Sequence, residues 1–213
     1  MWTWWILGCA LRGGVPHTVD LADLAPLGVE GLAGLRDEEH ALAVARTQLA
    51  GAEGEETRVK TRIEAARARR KQASLEYDVA SANLDAAEAS RDVWRIGTAR
   101  GALQDARLRR ERAEAAERWQ EASADAARAQ TKLAEATVGL RAAELEMARL
   151  DLLESADRGR AYARSEFTEQ LRDAQARQDA AQQDYDRASE DAIRAYDRWK
   201  RLDEGPRGRA PAG

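Results

Sequence analysis

The fold is decided by residues 42–87, which read LAVARTQLAGAEGEETRVKTRIEAARARRKQASLEYDVASANLDAA. Mostly small or apolar side chains recur in this stretch in alternating steps of three and four residues, at Leu42, Ala45, Leu49, Ala52, Glu56, Val59, Ile63, Ala66, Arg70, Ala73, Tyr77, Ala80, Leu84 and Ala87. Such a heptad repeat forms one stripe along a helix and drives that stripe against another helix. The stretch therefore predicts a long coiled-coil helix.

The same count continues into a second stretch downstream. It reaches Trp119, Ala122, Ala126, Ala129, Leu133, Ala136, Leu140, Ala143, Met147 and Leu150. In both stretches one row of the stripe carries mostly large side chains and the other row carries mostly alanines. Antiparallel helices would set large side chains against alanines, whereas parallel helices would leave voids between facing alanines. The pattern favours antiparallel packing.

Glycines mark where the helices should end. We expect helix one over residues 35–96, helix two over residues 102–157, and a turn at residues 97–101, which carry two glycines. Helix one would be roughly 90 Å long at 1.5 Å per residue. This turn predicts the facing pairs Leu84–Ala115, Ala80–Trp119, Tyr77–Ala122 and Ile63–Ala136.

A third helix is expected over residues 160–204, after a break at Arg158-Gly159-Arg160, because the register of the repeat changes there. Its stripe consists of Phe167, Leu171, Ala174, Gln178, Ala181, Tyr185, Ala188, Ala192, Ala195, Trp199 and Leu202. The predicted fold is all-α, a long antiparallel coiled-coil hairpin with a third long helix. The sequence leaves open whether this helix folds back on the hairpin.

Three stripe positions carry charges, namely Glu56, Arg70 and Arg112. One interpretation is that their side chains reach past neighbouring alanines to solvent. The other is that they select the register or the partner of the helix.

The ends of the chain differ from the helical part. Residues 10–34 contain two prolines and five glycines, which exclude a continuous helix. We interpret them as a tether, partly docked through Leu21, Leu24, Leu27 and Leu32, with a disordered leader as the alternative. Residues 205–213 are expected to be disordered.

Composition restricts the function. Charged residues make up 34% of the 213 residues and aromatic residues 5%, with a mean hydropathy of −0.66, as in long helices rather than compact cores. The net charge of −4 argues against a general nucleic-acid binder. His17, His40 and the single cysteine do not form a metal-binding pattern. No motif predicts catalysis or a cofactor, and we do not expect an enzyme.

The first nine residues, MWTWWILGC, end in Ile6-Leu7-Gly8-Cys9. These four residues resemble the lipobox of bacterial lipoproteins, and the helical part is similar to the small periplasmic coiled-coil lipoproteins of Gram-negative bacteria. The resemblance implies that residues 1–9 are a truncated signal peptide with its lipobox, and that Cys9 is lipidated. It also implies an outer-membrane protein on the periplasmic side. The alternative is an ordinary cysteine beside an apolar start.

Charge is unevenly distributed along the helices. From Arg91 to Arg112 there are seven arginines and three acidic residues. We hypothesise that this region contacts an anionic envelope surface through Trp94, Arg95, Arg100, Arg107 and Arg109. A solvated helix face is the alternative. A second basic stretch, residues 58–71, lacks the aromatic residues that would support nucleic-acid binding.

The sequence thus predicts a non-catalytic, lipid-anchored coiled-coil spacer, scaffold or adaptor of a bacterial cell envelope. Its partners would be another protein or a second copy, bound through helical seams, and a membrane through the lipid on Cys9. The alternative is a cytosolic coiled-coil scaffold without a lipid anchor, like the arms of chromosome-partition or secretion-associated proteins.

Overall fold

A computed structural model of the chain describes residues 17–205, and over these residues the fold is all-α without strands. Two single-turn helices come first, α1 (Leu21–Leu24) and α2 (Gly28–Gly31). The long helices α3 (Arg36–Ser90), α4 (Val93–Ser155) and α5 (Arg164–Asp203) follow. Short 3₁₀ turns lie at Ala25–Leu27, Leu32–Leu35 and Gly159–Ala161. The predicted antiparallel hairpin with a third long helix is confirmed.

The stripe of α3 is buried as its spacing requires. Of its fourteen positions only Arg70 is exposed, and the six alanines of the stripe are buried. All eleven stripe positions of α5 are likewise buried or half-buried. Burial of thin apolar seams, rather than of one compact core, is therefore what holds these helices in place.

The chain divides into two compact units, each containing parts of the three long helices. In the first unit, the described residues are 17–45 and 137–178. Leu150 and Leu153 of α4 are completely buried there, against Phe167 of α5 and Val19 and Leu24 of the N-terminal segment. Leu140 and Ala143 of α4 contact Ala174 of α5, and Leu145 contacts Leu35 and Leu42.

The segment before α3 docks on this unit. Leu24 is buried and Leu27 and Leu32 are half-buried against the same cluster, while Leu21 is 64% exposed and does not join it. The Tyr162 hydroxyl accepts a hydrogen bond from the Asp20 N–H at 2.9 Å and donates one to Asp23 at 2.6 Å. Docking thus applies to residues 17–34. Residues 10–16, together with 1–9 and 206–213, lie outside the described residues.

The second unit comprises residues 46–136 and, as far as they are described, 179–205. Here α3 and α4 run antiparallel and are joined by side-chain contacts between them. Val59 packs on Ala124 and Ala127, and the Arg110 guanidinium lies 4.2 Å from the centre of the Tyr77 ring. The ion pairs that join the two helices are Arg67–Glu121, Arg67–Glu117, Arg70–Glu117, Arg109–Glu76 and Arg100–Glu88.

The predicted turn at residues 97–101 is wrong, and so are helix one over 35–96 and helix two over 102–157 as bounded. Both glycines lie inside α4, and the chain turns instead at Arg91 and Asp92. Arg91 adopts a left-handed φ of 58°, and the Asp92 carboxylate accepts hydrogen bonds from the N–H groups of Trp94 and Arg95. An N-cap of this kind satisfies the free donors of a new helix, so a polar cap rather than a glycine starts α4.

The facing pairs predicted from that turn are also wrong. Tyr77 meets Arg110 rather than Ala122, and Trp119 packs on Tyr196 and Trp199 of α5 rather than on Ala80. In the second unit α4 therefore carries two seams. One, through Trp119, faces α5, and the other, through Glu117, Ala124 and Ala127, faces α3.

The chain turns a second time between Ser155 and Arg164, around the Gly159 that marks the predicted break. A Cβ atom on Gly159 would lie 2.5 Å from Cγ of Glu154, so the close approach requires glycine. Arg164, at the start of α5, pairs with Asp151 at 2.7 Å and with Glu154. These contacts fix the start of α5 against the end of α4.

We expect Gly97→Ala and Gly101→Ala each to stabilise the protein by about 1 kcal/mol, because alanine is the better helix former. Nothing lies within 4 Å of the Cβ atom that either substitution would add. Thermal unfolding measures the effect, with Gly159→Ala as the destabilising control. A loss of stability on both alanine substitutions would show that these glycines form a turn after all.

We expect Tyr162→Phe to release the N-terminal segment, at a cost of about 1 kcal/mol for its hydrogen bonds. Hydrogen exchange of residues 17–35 should become faster, while exchange in the centres of α3 and α4 stays unchanged. Tyr185→Phe, in the second unit, is the control. Unchanged protection of residues 17–35 would mean that apolar contacts alone dock the segment.

The pH dependence of this docking follows from the same hydroxyl. Its hydrogen bond to Asp23 raises the pKa of Tyr162 above the ordinary value of 10.0. The neutral phenol therefore contributes its full stabilisation below pH 10.0, and this contribution is lost as the pH rises through the raised pKa. Tyr162→Phe should abolish this alkaline loss of protection.

Candidate functional site

Two surfaces of the second unit combine charged and aromatic side chains. The first is the turn patch, which we define as Arg91, Val93, Trp94 and Arg95. Val93 is 83% exposed and Trp94 77% exposed, the two most exposed large apolar side chains of the described chain. Their exposure follows from the turn, because the first residues of α4 lie beyond the end of the α3 seam. An indole flanked by guanidinium groups suits a surface that is apolar and anionic.

The structure does not gather the predicted basic residues into one patch. Trp94 and Arg95 lie at the turn, whereas the other three arginines are distributed over about the next four turns of α4. Each of the four predicted arginines has a carboxylate partner. The pairs are Arg95–Asp92 at 3.5 Å, Arg100–Glu88 at 3.3 Å, Arg107–Glu111 at 3.0 Å and Arg109–Glu76 at 3.3 Å. Because Glu76 and Glu88 come from α3, the local positive charge is smaller than the α4 sequence alone indicates.

The second surface is a groove between α3 and α4, with a volume of about 510 Å³. We call it the arginine groove. Its floor is made of Ala65 and Ala66 of α3 and Ala113 and Ala116 of α4. Its other lining residues are Arg62, Arg69, Arg109, Arg112, Trp119, Gln120 and Trp199. It is thus an almost entirely apolar channel bordered by cations.

Trp119 and Trp199, two members of a cluster of three aromatic residues, line one side of the arginine groove. Trp119 of α4 stacks on Trp199 of α5 with ring centres 4.8 Å apart and planes 18° apart, and meets Tyr196 edge-on at 5.1 Å. Offset stacking and edge-to-face contacts are the favoured geometries of aromatic pairs. The cluster therefore gives the groove a rigid apolar wall that joins α5 to α4.

Arg112 is a stripe charge whose role the sequence left open. Its Nε–H donates to the Leu202 carbonyl at 2.8 Å, in the last turn of α5. A cation beside the final carbonyls of a helix satisfies free acceptors and opposes the negative end of the helix dipole. Arg112 thus secures the end of α5 beside the groove.

The two other stripe charges are also paired. Arg70 lies 2.5 Å from Glu117, whose side chain is only 12% exposed. Glu56 accepts from Lys60 at 2.9 Å, and this hydrogen bond, with smaller contributions from Thr131 and Arg128, lowers the pKa of Glu56. Of the two interpretations, a device that fixes register fits Arg70, because its partner is on the facing helix.

Arg62, Arg69 and Trp199 are candidate site residues that appear only in the structure. Arg62 and Arg69 are seven residues apart, and this spacing indicates a shared face of α3. Trp199 reaches the groove only because α5 packs on α4, and no local pattern carries that information.

Other features bear on the predicted sites. Cys9, the predicted lipidation site, lies outside the described residues. Within residues 17–205 no group of three or more histidine, cysteine or acidic side chains is arranged to hold a metal ion. In the same part of the chain, no helix combines the length and apolarity needed to cross a membrane.

Comparison with known proteins finds no match for this chain among protein-family models, curated proteins or solved structures.

Proposed function

We propose that this protein is a non-catalytic coiled-coil spacer, scaffold or adaptor, anchored in a bacterial cell envelope by a lipid on Cys9. The observation that carries the scaffold role is the pairing of α3 and α4, helices of 55 and 63 residues. Antiparallel helices of this length present extended solvated faces to partners while their own seams hold them together. The charged side chains support the same role, because they pair along and between the helices.

The lipobox-like residues Ile6-Leu7-Gly8-Cys9 are the support for the anchor. Docking of residues 17–34 on the first unit adds a consequence. Eight peptide steps separate Cys9 from His17, and eight fully extended residues span at most about 28 Å. A lipid on Cys9 would therefore hold the first unit within about 30 Å of the bilayer surface.

The turn patch is the proposed contact with an anionic envelope surface. Trp94 supplies an exposed indole, which favours the interface between water and lipid. Arg91 has no carboxylate within 4 Å among residues 17–205, so its charge is available, whereas Arg95 shares its charge with Asp92. We therefore propose that Trp94 contributes more to this contact than any one of Arg95, Arg100, Arg107 and Arg109.

The anchor is tested by expressing the gene with its upstream sequence in a bacterial host. We expect the membrane fraction to contain a protein whose intact mass begins at Cys9 and includes a diacylglyceryl group. The Cys9→Ala variant should lack the modification and leave the membrane fraction. An unmodified, non-sedimenting wild type that retains Trp2 to Leu7 would contradict the anchor and favour the cytosolic scaffold.

The turn patch is tested by co-sedimentation with vesicles that contain about one-third anionic lipid. We expect Trp94→Ala to weaken binding several-fold, and the combined Arg91→Gln and Arg95→Gln variant to weaken it mainly at low salt, because screening removes exposed charge interactions. Arg187→Gln, on α5, is the control. Binding that neither variant changes would eliminate this surface contact.

A further inference from the structure

The arginine groove lies between α3 and α4, beside the Trp119–Trp199 contact that joins α5 to α4, and on its α3 side Arg62, Ala65 and Arg69 are exposed. Its floor consists of alanines from both α3 and α4, and the polar groups of its lining belong to the arginines and Gln120. Small side chains let a further helix approach closely, as in helix pairs whose interfaces are rich in alanine. The floor is therefore suited to the apolar stripe of another helix.

The charges at its edges point to an acidic occupant. Arg69 and Arg112 have no carboxylate within 4 Å among residues 17–205, and Arg112 donates only to a carbonyl. Arg62 and Arg109 pair with Glu55 at 3.2 Å and with Glu76 at 3.3 Å, through side chains that are more than half exposed on the arginine side. Exposed pairs of this kind contribute little and exchange partners readily.

The spacing of these arginines indicates the form of the occupant. Arg62 and Arg69 are seven residues apart, which is about 10.5 Å along α3. Arg109 and Arg112 border the other side of the floor, on α4. Carboxylates on both flanks of a helix, with small apolar residues between them, match both the charges and the floor.

We infer that the arginine groove docks an acidic amphipathic helix of a partner protein. The partner's apolar stripe lies on Ala65, Ala66, Ala113 and Ala116, and its carboxylates pair with Arg62 and Arg69 on one side and Arg109 and Arg112 on the other. This inference extends the proposed scaffold role by naming the chemistry of a partner. It does not depend on a lipid at Cys9, so the two can fail separately.

The test uses the full chain and a synthetic helical peptide of about three heptads, with alanine and leucine in its stripe and glutamate on both flanks. Titration calorimetry should detect binding of this peptide and none of a counterpart with lysine for glutamate. The double variant Arg62→Glu and Arg69→Glu should weaken binding at least tenfold. Ala65→Phe should do the same without changing any charge, because it fills the floor. Arg187→Glu with Arg194→Glu, on α5 and outside the groove lining, is the matched control, and circular dichroism checks that each variant is folded.

Four results would overturn the inference. The first is that the acidic peptide does not bind the wild type. The second is that it binds the folded Ala65→Phe variant as tightly as the wild type, which would mean that only non-specific charge attraction holds it. The third is that a single-stranded DNA of about twenty nucleotides binds more tightly than the peptide and requires the same arginines, which would make nucleic acid the occupant. The fourth is that the wild type is a dimer and the double variant a monomer, which would make a second copy of the chain the occupant.

Discussion

The packing of α4 on two partners is the constraint on which the rest of this structure depends. In the first unit α4 presents Leu140 and Ala143 to α5 and Leu145 to α3. In the second unit it presents Trp119 to α5 and Ala124 to α3. A helix that buries two faces needs apolar or paired side chains on both, and only the remaining face can be freely polar.

The two faces of α4 solve this requirement differently. The face toward α5 is apolar. In the second unit its Trp119 stacks on Trp199 of α5. The face toward α3 accepts polar residues, because partners on α3 satisfy them. Glu117, 12% exposed, is held by Arg67 and Arg70, and Arg110 lies over the Tyr77 ring. Removing one partner of such a half-buried pair would leave the other charge poorly solvated, so these contacts favour one register over slipped ones.

The same arrangement leaves two surfaces available for other molecules. Val93 and Trp94 follow the turn at Arg91 and Asp92 and are exposed, because the first residues of α4 lie beyond the end of the α3 seam. Between α3 and α4, the alanines that permit close packing also leave the floor of the arginine groove uncovered. Each of these surfaces combines apolar area with arginine, the residue best suited to paired recognition of carboxylates, which agrees with the scaffold role that we propose.

Much of the architecture could be predicted from the periodicity of the sequence, since heptad spacing depends only on helix geometry. The stripes of α3 and α5, the break around Gly159 and the antiparallel direction all follow from it. The turn between α3 and α4 did not, because glycine is only one way to end a helix. Ser90-Arg91-Asp92 ends α3 and caps α4 without it, and the polar cap of Asp92 was a signal in the sequence that went unused.

The sequence by itself determined that this protein consists of long antiparallel helices with thin apolar seams, since the local spacing of side chains decides which face of each helix is buried. Only the tertiary structure decided which seam meets which. Trp119 could have packed on α3 or on α5 with equal local justification, and the choice depends on where α5 returns along α4. The arginine groove is a consequence of that choice, because its arginines, alanines and tryptophans come from three helices that only the folded chain brings together.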